Sequence, residues 1–402
     1  MSDTESTYKD HLGKTVYEAA KDRVRDCFKR FPNTVISFSG GKDSTAVLNI
    51  SIEVARELDI LPVKVLFFDE EGVAPDTVEY VKRVRERPEV NLEWYCLPFK
   101  HKLGTSFETQ SYTCWEPGLE DKWVREMPEF AITEHPTFRR GMTFQEFGNS
   151  MYADKPELSC VLTGVRTQES TNRLRAIISS ENPDEAHLKK QVWNTYRGMP
   201  VYDWTAEDVW IYVHKFDLDY NRFYDKLNML KGYHENLGLQ RVSHPYGVHP
   251  MKDLGNWHVM YPDLVDKVLD RVPGGRAAAR YSKTHLYAQD GVKKPDHMSW
   301  KQYAKIAIDY IRDVRIKNEI KKSINGILKR HAKKTNDAIP DAGGHALTGV
   351  SWEIITSFII RADTESRANM RFHGNSRWLK DAKLREKYND NFEKFKLDYG
   401  KN

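Results

Sequence analysis

The chain has 402 residues, 40% of them hydrophobic and 30% charged, with a formal net charge of +4. That is enough apolar content for a packed core, so the composition excludes a wholly disordered chain and, at roughly 150 residues per domain, predicts two or three compact units. No apolar run approaches the roughly 20 residues that span a bilayer, and the polar, acidic first ten residues carry no signal peptide, so a cytoplasmic protein without membrane contact is expected. Cys27, Cys96, Cys114 and Cys160 are widely spaced and form no CxxC pair. Such usage fits a reducing compartment and predicts neither a disulfide scaffold, nor a zinc ribbon, nor an iron–sulfur cluster.

Taken in order, Val16, Ala20, Val24, Cys27 and Phe28 recur at spacings of three and four and predict a helix over residues 14–31, stopped by Pro32. Residues 34–38 read as a buried strand, and Ser39-Gly40-Gly41-Lys42-Asp43-Ser44 leads into a helix over 45–58. A second strand over 63–68 is closed by Asp69-Glu70-Glu71-Gly72, and a helix over 76–87 and a third strand over 92–97 follow. This alternation predicts a parallel sheet with right-handed crossovers. Residues 100–149 are aromatic and irregular, which predicts an insertion covering something. A fourth strand over 158–163, a polar loop and helix over 166–179, a strand at 200–203 and a helix over 205–215 complete the pattern.

The expected architecture is therefore a doubly wound, mostly parallel α/β domain over residues 1–220, followed by a mainly helical, basic region over 221–402. Residues 301–334 carry eleven Lys/Arg against three Asp/Glu. There Ile306, Ile308, Ile311, Val314, Ile320, Ile324, Ile327 and Leu328 are expected to form a buried face. The remaining face is either a solvated surface or a contact for nucleic acid or a protein partner. Residues 337–344 read as a hinge and 352–360 as a last apolar helix.

The strongest chemical signal is the strand-to-helix turn at residues 39–44. Gly40 and Gly41 permit close backbone approach, and the helix N-terminus presents amides and partial positive charge to an anion. Lys42 adds a point charge, and Ser39 and Ser44 add hydroxyl donors. Asp43 stands where it could cap the helix or help hold Mg²⁺. This is not a Walker A loop, because the position five before Gly41 is Ile36.

Ser37-Phe38-Ser39-Gly40-Gly41-Lys42-Asp43-Ser44-Thr45 resembles the PP-loop of the adenine nucleotide α-hydrolase-like superfamily. Two further segments narrow the resemblance to its PAPS reductase-like branch. Thr163-Gly164-Val165-Arg166-Thr167-Gln168-Glu169-Ser170, with Arg173 after it, resembles that branch's GxRxxES loop. Pro200-Val201-Tyr202-Asp203-Trp204-Thr205, followed by Asp208-Val209-Trp210, resembles its P-x-x-D-W-T signature. The match spans roughly the first half of the chain; the aromatic insertion and helical C-terminus resemble the subfamily of immunoglobulin-binding regulator A.

The resemblance implies a PP-loop/HUP-like fold that binds ATP, or a PAPS- or APS-like adenine nucleotide, with Mg²⁺. It implies phosphate contacts from Ser39, Gly40, Gly41, Lys42, Asp43 and Ser44, flanked by Ser37 and Phe38, and from Thr163, Gly164 and Arg166. Lys42, Asp43, Arg166 and Arg173 are the expected catalytic set, the arginines neutralising charge that spreads from the α-phosphate. Asp69, at the carboxyl edge of the second strand, is a candidate for ribose or adenine. The expected reaction is cleavage at the α-phosphate, of the ATP pyrophosphatase or adenylyltransferase type, with an unidentified acceptor. Reduction of PAPS is an alternative, but that chemistry uses a C-terminal-tail cysteine in the family, and none follows Cys160 here. A nucleotide-dependent regulatory protein is a further alternative, and sulfur transfer a weaker one. Trp204 and Trp210 read as packing. Cys114 reads as a lid residue, with positioning of an acceptor or a thiol nucleophile as the alternatives, and His244, His249 and His258 read as loop residues without metal-ligand spacing.

Overall fold

The computed structural model describes residues 13–103, 105–106, 109, 111–153, 155–170, 173–174, 177, 185–192, 194–231, 242, 254–281 and 292–360. They divide into two compact units. The first lies within Met1–His101, Thr113–His244 and Asn256–Lys267, and the second within Lys102–Tyr112, Pro245–Gly255 and Val268–Asn402. Among the described residues no helix is long and apolar enough to cross a membrane.

The first unit is built on a six-stranded sheet. Its strands are β1 (Asn33–Ser37), β2 (Val63–Phe68), β3 (Val90–Tyr95), β6 (Ser159–Leu162), β7 (Leu188–Lys190) and β8 (Thr195–Gly198), in the order β3-β2-β1-β6-β8-β7. All neighbours are parallel except the β7–β8 pair. The chain steps outward from β1 through α2 (Lys42–Glu57), β2 and α3 (Pro75–Arg85) to β3, then returns to the other flank of β1 with β6. That reversal between β1 and β6 is a topological switch point, where open α/β sheets leave a crevice at their carboxyl ends. Register places Ile36 opposite Leu162, so the turn after β1 and the loop after β6 leave the sheet side by side.

Local chemistry accounts for the elements. α1 (Val16–Arg30) starts from a capping box between Thr15 and Glu18 and buries the predicted Ala20, Val24 and Cys27. β2 occupies the predicted residues. α2 begins at Lys42, three residues before the predicted start, which puts Lys42 and Asp43 in its first turn.

The predicted strand at 200–203 is instead a turn, in which Tyr202 N–H donates to the Met199 carbonyl and Trp204 N–H to that of Val201. Pro200 has no N–H for a ladder. The strand lies just before it, at β8, where Arg197 and Gly198 hid it, and its antiparallel edge partner β7 was not predicted. Only fragments of the predicted 166–179 helix fall within the described residues: a 3₁₀ turn at Thr167–Glu169 and helical positions 173, 174 and 177.

The insertion carries two short paired strands, β4 (Lys100–Lys102) and β5 (Ser111–Thr113), and a helix, α4 (Phe144–Ser150). Its aromatic content becomes packing: the Phe147 ring meets Phe68, Tyr95, Phe99, Phe138 and His135. What it covers is the carboxyl end of β2 and β3.

After α5 (Ala206–Lys215) the first unit continues past residue 220 to include α6 (Phe223–Lys231) and the residues around Trp257 and Tyr261, whose rings contact Phe223. The segment 254–281 forms α7 (Leu254–Met260), α8 (Pro262–Arg271) and α9 (Gly275–Tyr281).

In the second unit, α10 (Trp300–Tyr310), α11 (Val314–Lys334) and α12 (Trp352–Ile360) enclose Ala304, Ile320, Ile324, Ile327, Val350, Ile355, Phe358 and Ile359. Ile308, Ile311 and Leu328 pack on that core as expected, but Ile306 and Val314 do not: they are 37% and 69% exposed. The 3.6-residue period turns both away from the stripe that α10 and α11 bury.

Candidate functional site

The site grows from the β1–α2 turn. Phe38 ends the strand with its N–H donated to the Leu66 carbonyl. Its ring is buried against Tyr80, so Phe38 is a core residue rather than a lining one. Ser39 is exposed, and Gly40 takes φ +72°, where a Cβ would lie 2.8 Å from Thr77 Cγ2. Gly41 starts α2 without any side-chain cap, which leaves the first-turn amides for another acceptor. The Ser44 hydroxyl reaches back to the Gly41 carbonyl at 2.9 Å and lies 3.2 Å from the Ser39 hydroxyl, closing the turn on itself.

Two residues of the first α2 turn carry opposite charge. The Lys42 side chain is 1% exposed, its Nζ 3.4 Å from Asp43 Oδ2 and over the Tyr224 ring at 5.4 Å. Burial pushes the ammonium down from the ordinary lysine range, and the Asp43 carboxylate opposes that shift. Asp43 Oδ1 accepts from Arg166 Nε at 2.6 Å.

Arg166 comes from the loop after β6 and is fully buried. Its Nη1 donates to Gln168 Oε1 at 2.9 Å, and its backbone N–H to Glu169 Oε1 at 3.2 Å. Nη2 has no hydrogen-bond partner among the described residues. The approach of this loop depends on Gly164, where a Cβ would lie 2.7 Å from the Asp43 carbonyl carbon and 2.8 Å from Ser44 N. Thr163 is spent on the sheet: its N–H and hydroxyl both reach the Gly198 carbonyl.

Asp43 thus has one oxygen on a guanidinium and the other facing an ammonium. A carboxylate already neutralised twice does not fit as a Mg²⁺ ligand. Among the described residues no group of three His, Cys, Asp or Glu side chains gathers to hold a metal ion.

Arg173 forms an ion pair with Glu169 on the same loop. Near it stands Arg197 of β8, half-buried, its guanidinium with no hydrogen bond or ion pair among the described residues. Burial, with the like charge of Arg173, pushes its guanidinium down from the usual arginine range. Sequence reasoning missed Arg197, because a single basic residue in a short polar run carries no signal.

It also missed Asn221 and Tyr224, which lie past the expected domain boundary. Asn221 Nδ2 donates to the Gly40 carbonyl at 2.9 Å and to Thr77 Oγ1 at 2.7 Å. The buried Tyr224 hydroxyl accepts the Lys42 N–H at 3.0 Å, filling the place an anion's oxygen would take at a helix start.

The structure does not bring Asp69 to this group. Its carboxylate is completely buried, with Oδ1 accepting the Glu71 N–H and Oδ2 held by Trp94 Nε1 and Arg125. Glu71 in turn accepts the N–H groups of Trp115 and Val124. Both acids anchor the insertion. Cys114 is buried there, behind the Trp115 backbone that Glu71 holds. Ser37 sits in the ladder opposite Leu66. Asp203 grips Arg23 through both oxygens, at 2.7 and 2.8 Å, and Thr205, not Asp203, caps α5. Trp204 is buried ahead of α5 rather than on it, and Trp210 packs on Tyr224. His258 is on α7; His244 and His249 lie outside the described residues.

Residues 33–260 match the phosphoadenosine phosphosulfate reductase domain family, and residues 235–364 match a domain of unknown function, DUF3440. The chain is 30% identical over 322 residues to the uncharacterized protein YbdN of Escherichia coli, covering 76% of this chain and 77% of that one. It is 22% identical over 209 residues to a phosphoadenosine 5'-phosphosulfate reductase of Xylella fastidiosa, covering 52% and 74%. Among solved structures, the phosphoadenylyl-sulfate reductase of Candida auris, a phosphate complex, aligns with a TM-score of 0.31 and 18% identity, over 54% of this chain and 89% of that one. With the glycine turn after β1, the arginine loop after β6 and the β8 turn in that order on one sheet edge, the chain belongs to the phosphoadenosine phosphosulfate reductase domain family.

Proposed function

We propose that the protein binds ATP or a closely related adenine nucleotide, PAPS- or APS-like, on the β1–α2 turn and cleaves it at the α-phosphate. One observation carries this reading: the fully buried Arg166, fixed by Asp43 at the start of α2, keeps Nη2 without a partner among the described residues. An unsatisfied buried guanidinium N–H costs free energy, and an anion arriving at the helix N-terminus removes that cost.

In this reading the nucleotide's phosphates lie along the turn from Ser39 to Ser44 and displace the Tyr224 hydroxyl from the Lys42 amide. Lys42 and Arg166 neutralise charge that builds on the α-phosphate oxygens as the bond to the β-phosphate breaks. Arg173 and Arg197 extend the cationic wall along the β6–β8 side. Asp43 is a positioning residue that holds both cations in place. With ATP, attack by water yields AMP and pyrophosphate, and attack by an acceptor hydroxyl or carboxylate yields an adenylylated acceptor and pyrophosphate; with a PAPS- or APS-like nucleotide the leaving group is sulfate.

Thiol reduction of PAPS has less support. All four cysteines are buried, and burial holds the thiols of Cys96 and Cys114 well above their usual range, where little thiolate forms.

The test is pyrophosphate release from ATP supplied with Mg²⁺, in the wild type and in Lys42→Ala, alongside calorimetric titration with ATP and PAPS. Lys42-dependent release supports the reading. No heat with either nucleotide at millimolar concentration would remove it.

A further inference from the structure

The proposed nucleotide chemistry leaves the basic segment of the second unit unused. α11 has a buried and an exposed side. Ile320, Ile324, Ile327 and His331 face the core. Arg315, Lys322, Lys329 and Lys333, at spacings of seven, seven and four, fall within about 40° of arc on the opposite side. All four are exposed, and Asn318 and Asn325 lie beside them. Arg315 is 3.5 Å from Asp313, but Lys322, Lys329 and Lys333 make no hydrogen bond or ion pair among the described residues, nor do Lys321 and Arg330. Glu319 is the one acid on the exposed side of the helix.

Five residues before Arg315, Tyr310 ends α10 with 81% of its surface exposed, and Val314 next to the stripe is 69% exposed. An open aromatic ring five residues along the chain from a line of cations, of which only Arg315 is paired among the described residues, is the combination that single-stranded nucleic acid recognises: phosphates on the cations, a base on the ring. A duplex would leave the ring without a base face to stack on.

We propose that the exposed face of α11, with Tyr310, binds single-stranded nucleic acid without sequence preference. Lysines act as point charges rather than as bidentate readers of base edges, so the contact is with the backbone. A membrane surface fits less well, because the isoleucine stripe of α11 is turned into the core and leaves Val314 as the helix's exposed large apolar side chain among the described residues. The inference is independent of the nucleotide reading.

The experiment is fluorescence anisotropy of the full chain with labelled 20-residue oligonucleotides, single-stranded and duplex, across a salt series. Lys322→Gln/Lys329→Gln/Lys333→Gln should weaken single-strand binding about tenfold or more at low salt, and should flatten the log–log salt slope by about 2. Tyr310→Ala should weaken it about tenfold with the slope unchanged. Circular dichroism and thermal unfolding matching the wild type certify the fold of each variant, and the triple variant should retain wild-type pyrophosphate release. Equal binding of duplex, a triple variant that binds like the wild type, or preferential binding to anionic phosphatidylserine vesicles or polyglutamate overturns the proposal.

Discussion

Arg166 and Asp43 meet side chain to side chain, Nε to Oδ1 at 2.6 Å, although 123 residues separate them in the chain. The contact ties the loop after β6 to the first turn of α2, across the switch point of the sheet. It also fixes the direction of the guanidinium, since Gln168 holds Nη1 from the other side.

Arg166→Met removes the buried cation and leaves the turn intact. Pyrophosphate release should fall about 10²–10³-fold, as when one transition-state donor is lost. Asp43→Asn keeps the shape but removes the carboxylate that Arg166 Nε and Lys42 Nζ face, and should destabilise the first unit by about 3 kcal/mol. Urea unfolding of Asp43→Asn at the wild-type midpoint would remove the positioning role assigned to Asp43.

Gly164→Ala tests the packing of the loop on the helix. The added Cβ would lie 2.7 Å from the backbone of Asp43, which cannot move without shifting α2. The expected cost is about 1–3 kcal/mol, with loss of nucleotide binding. Gly118→Ala is a control for backbone strain as such: its backbone is left-handed, at φ +85°, which that of Gly164 is not, and no atom lies within 4 Å of the added Cβ. Calorimetric titration of both variants against ATP distinguishes loop displacement from general strain.

Tyr224→Phe deletes the acceptor for the Lys42 amide and leaves the ring. The free protein should lose about 1 kcal/mol. Nucleotide affinity should hold or tighten, because the phosphate no longer displaces a hydroxyl. Weaker ATP binding in Tyr224→Phe, measured by calorimetry, would make the hydroxyl a ligand contact instead of a stand-in for one.

Glu70 gives the fold a pH dependence. Burial, and then the neighbouring Asp69, raise its carboxyl from 4.5 to about 8, with His101 Nδ1 at 3.3 Å and Cys114 also facing it. Between those values the folded chain keeps a proton that the unfolded chain has released. The stability associated with the neutral carboxyl is therefore complete below about pH 4.5 and is lost as pH rises through about 8. The slope from this group is at most about 1.4 kcal/mol per pH unit, less where His101 is protonated. Glu70→Gln should flatten that slope in urea unfolding at pH 5, 6.5 and 8; an unchanged slope would show that Glu70 ionises freely.

Much of the first unit was legible in the sequence. β2 falls on its predicted residues and α1 buries its predicted stripe, because a parallel strand buried on both faces and an amphipathic helix write their environment into consecutive residues. The Ser39–Ser44 turn and the Arg166 loop were legible for a related reason: backbone exposure to an anion needs glycine and small hydroxyls at fixed offsets. β8 and the edge strand β7 were not, since four residues including Arg197 and Gly198 have no period to read.

By itself, then, the order of residues determined the alternation of strands and helices, the glycine turn and the loop with Arg166. Tertiary structure alone decided what those parts touch. Asp69 looked like a ribose ligand because it ends β2, yet Trp94 and Arg125 claim its carboxylate for the insertion. Asn221 and Tyr224 looked like the start of another region, yet they close over Gly40 and Lys42. Partners brought together over more than a hundred residues are selected by packing and charge in three dimensions, and local pattern holds no record of that selection.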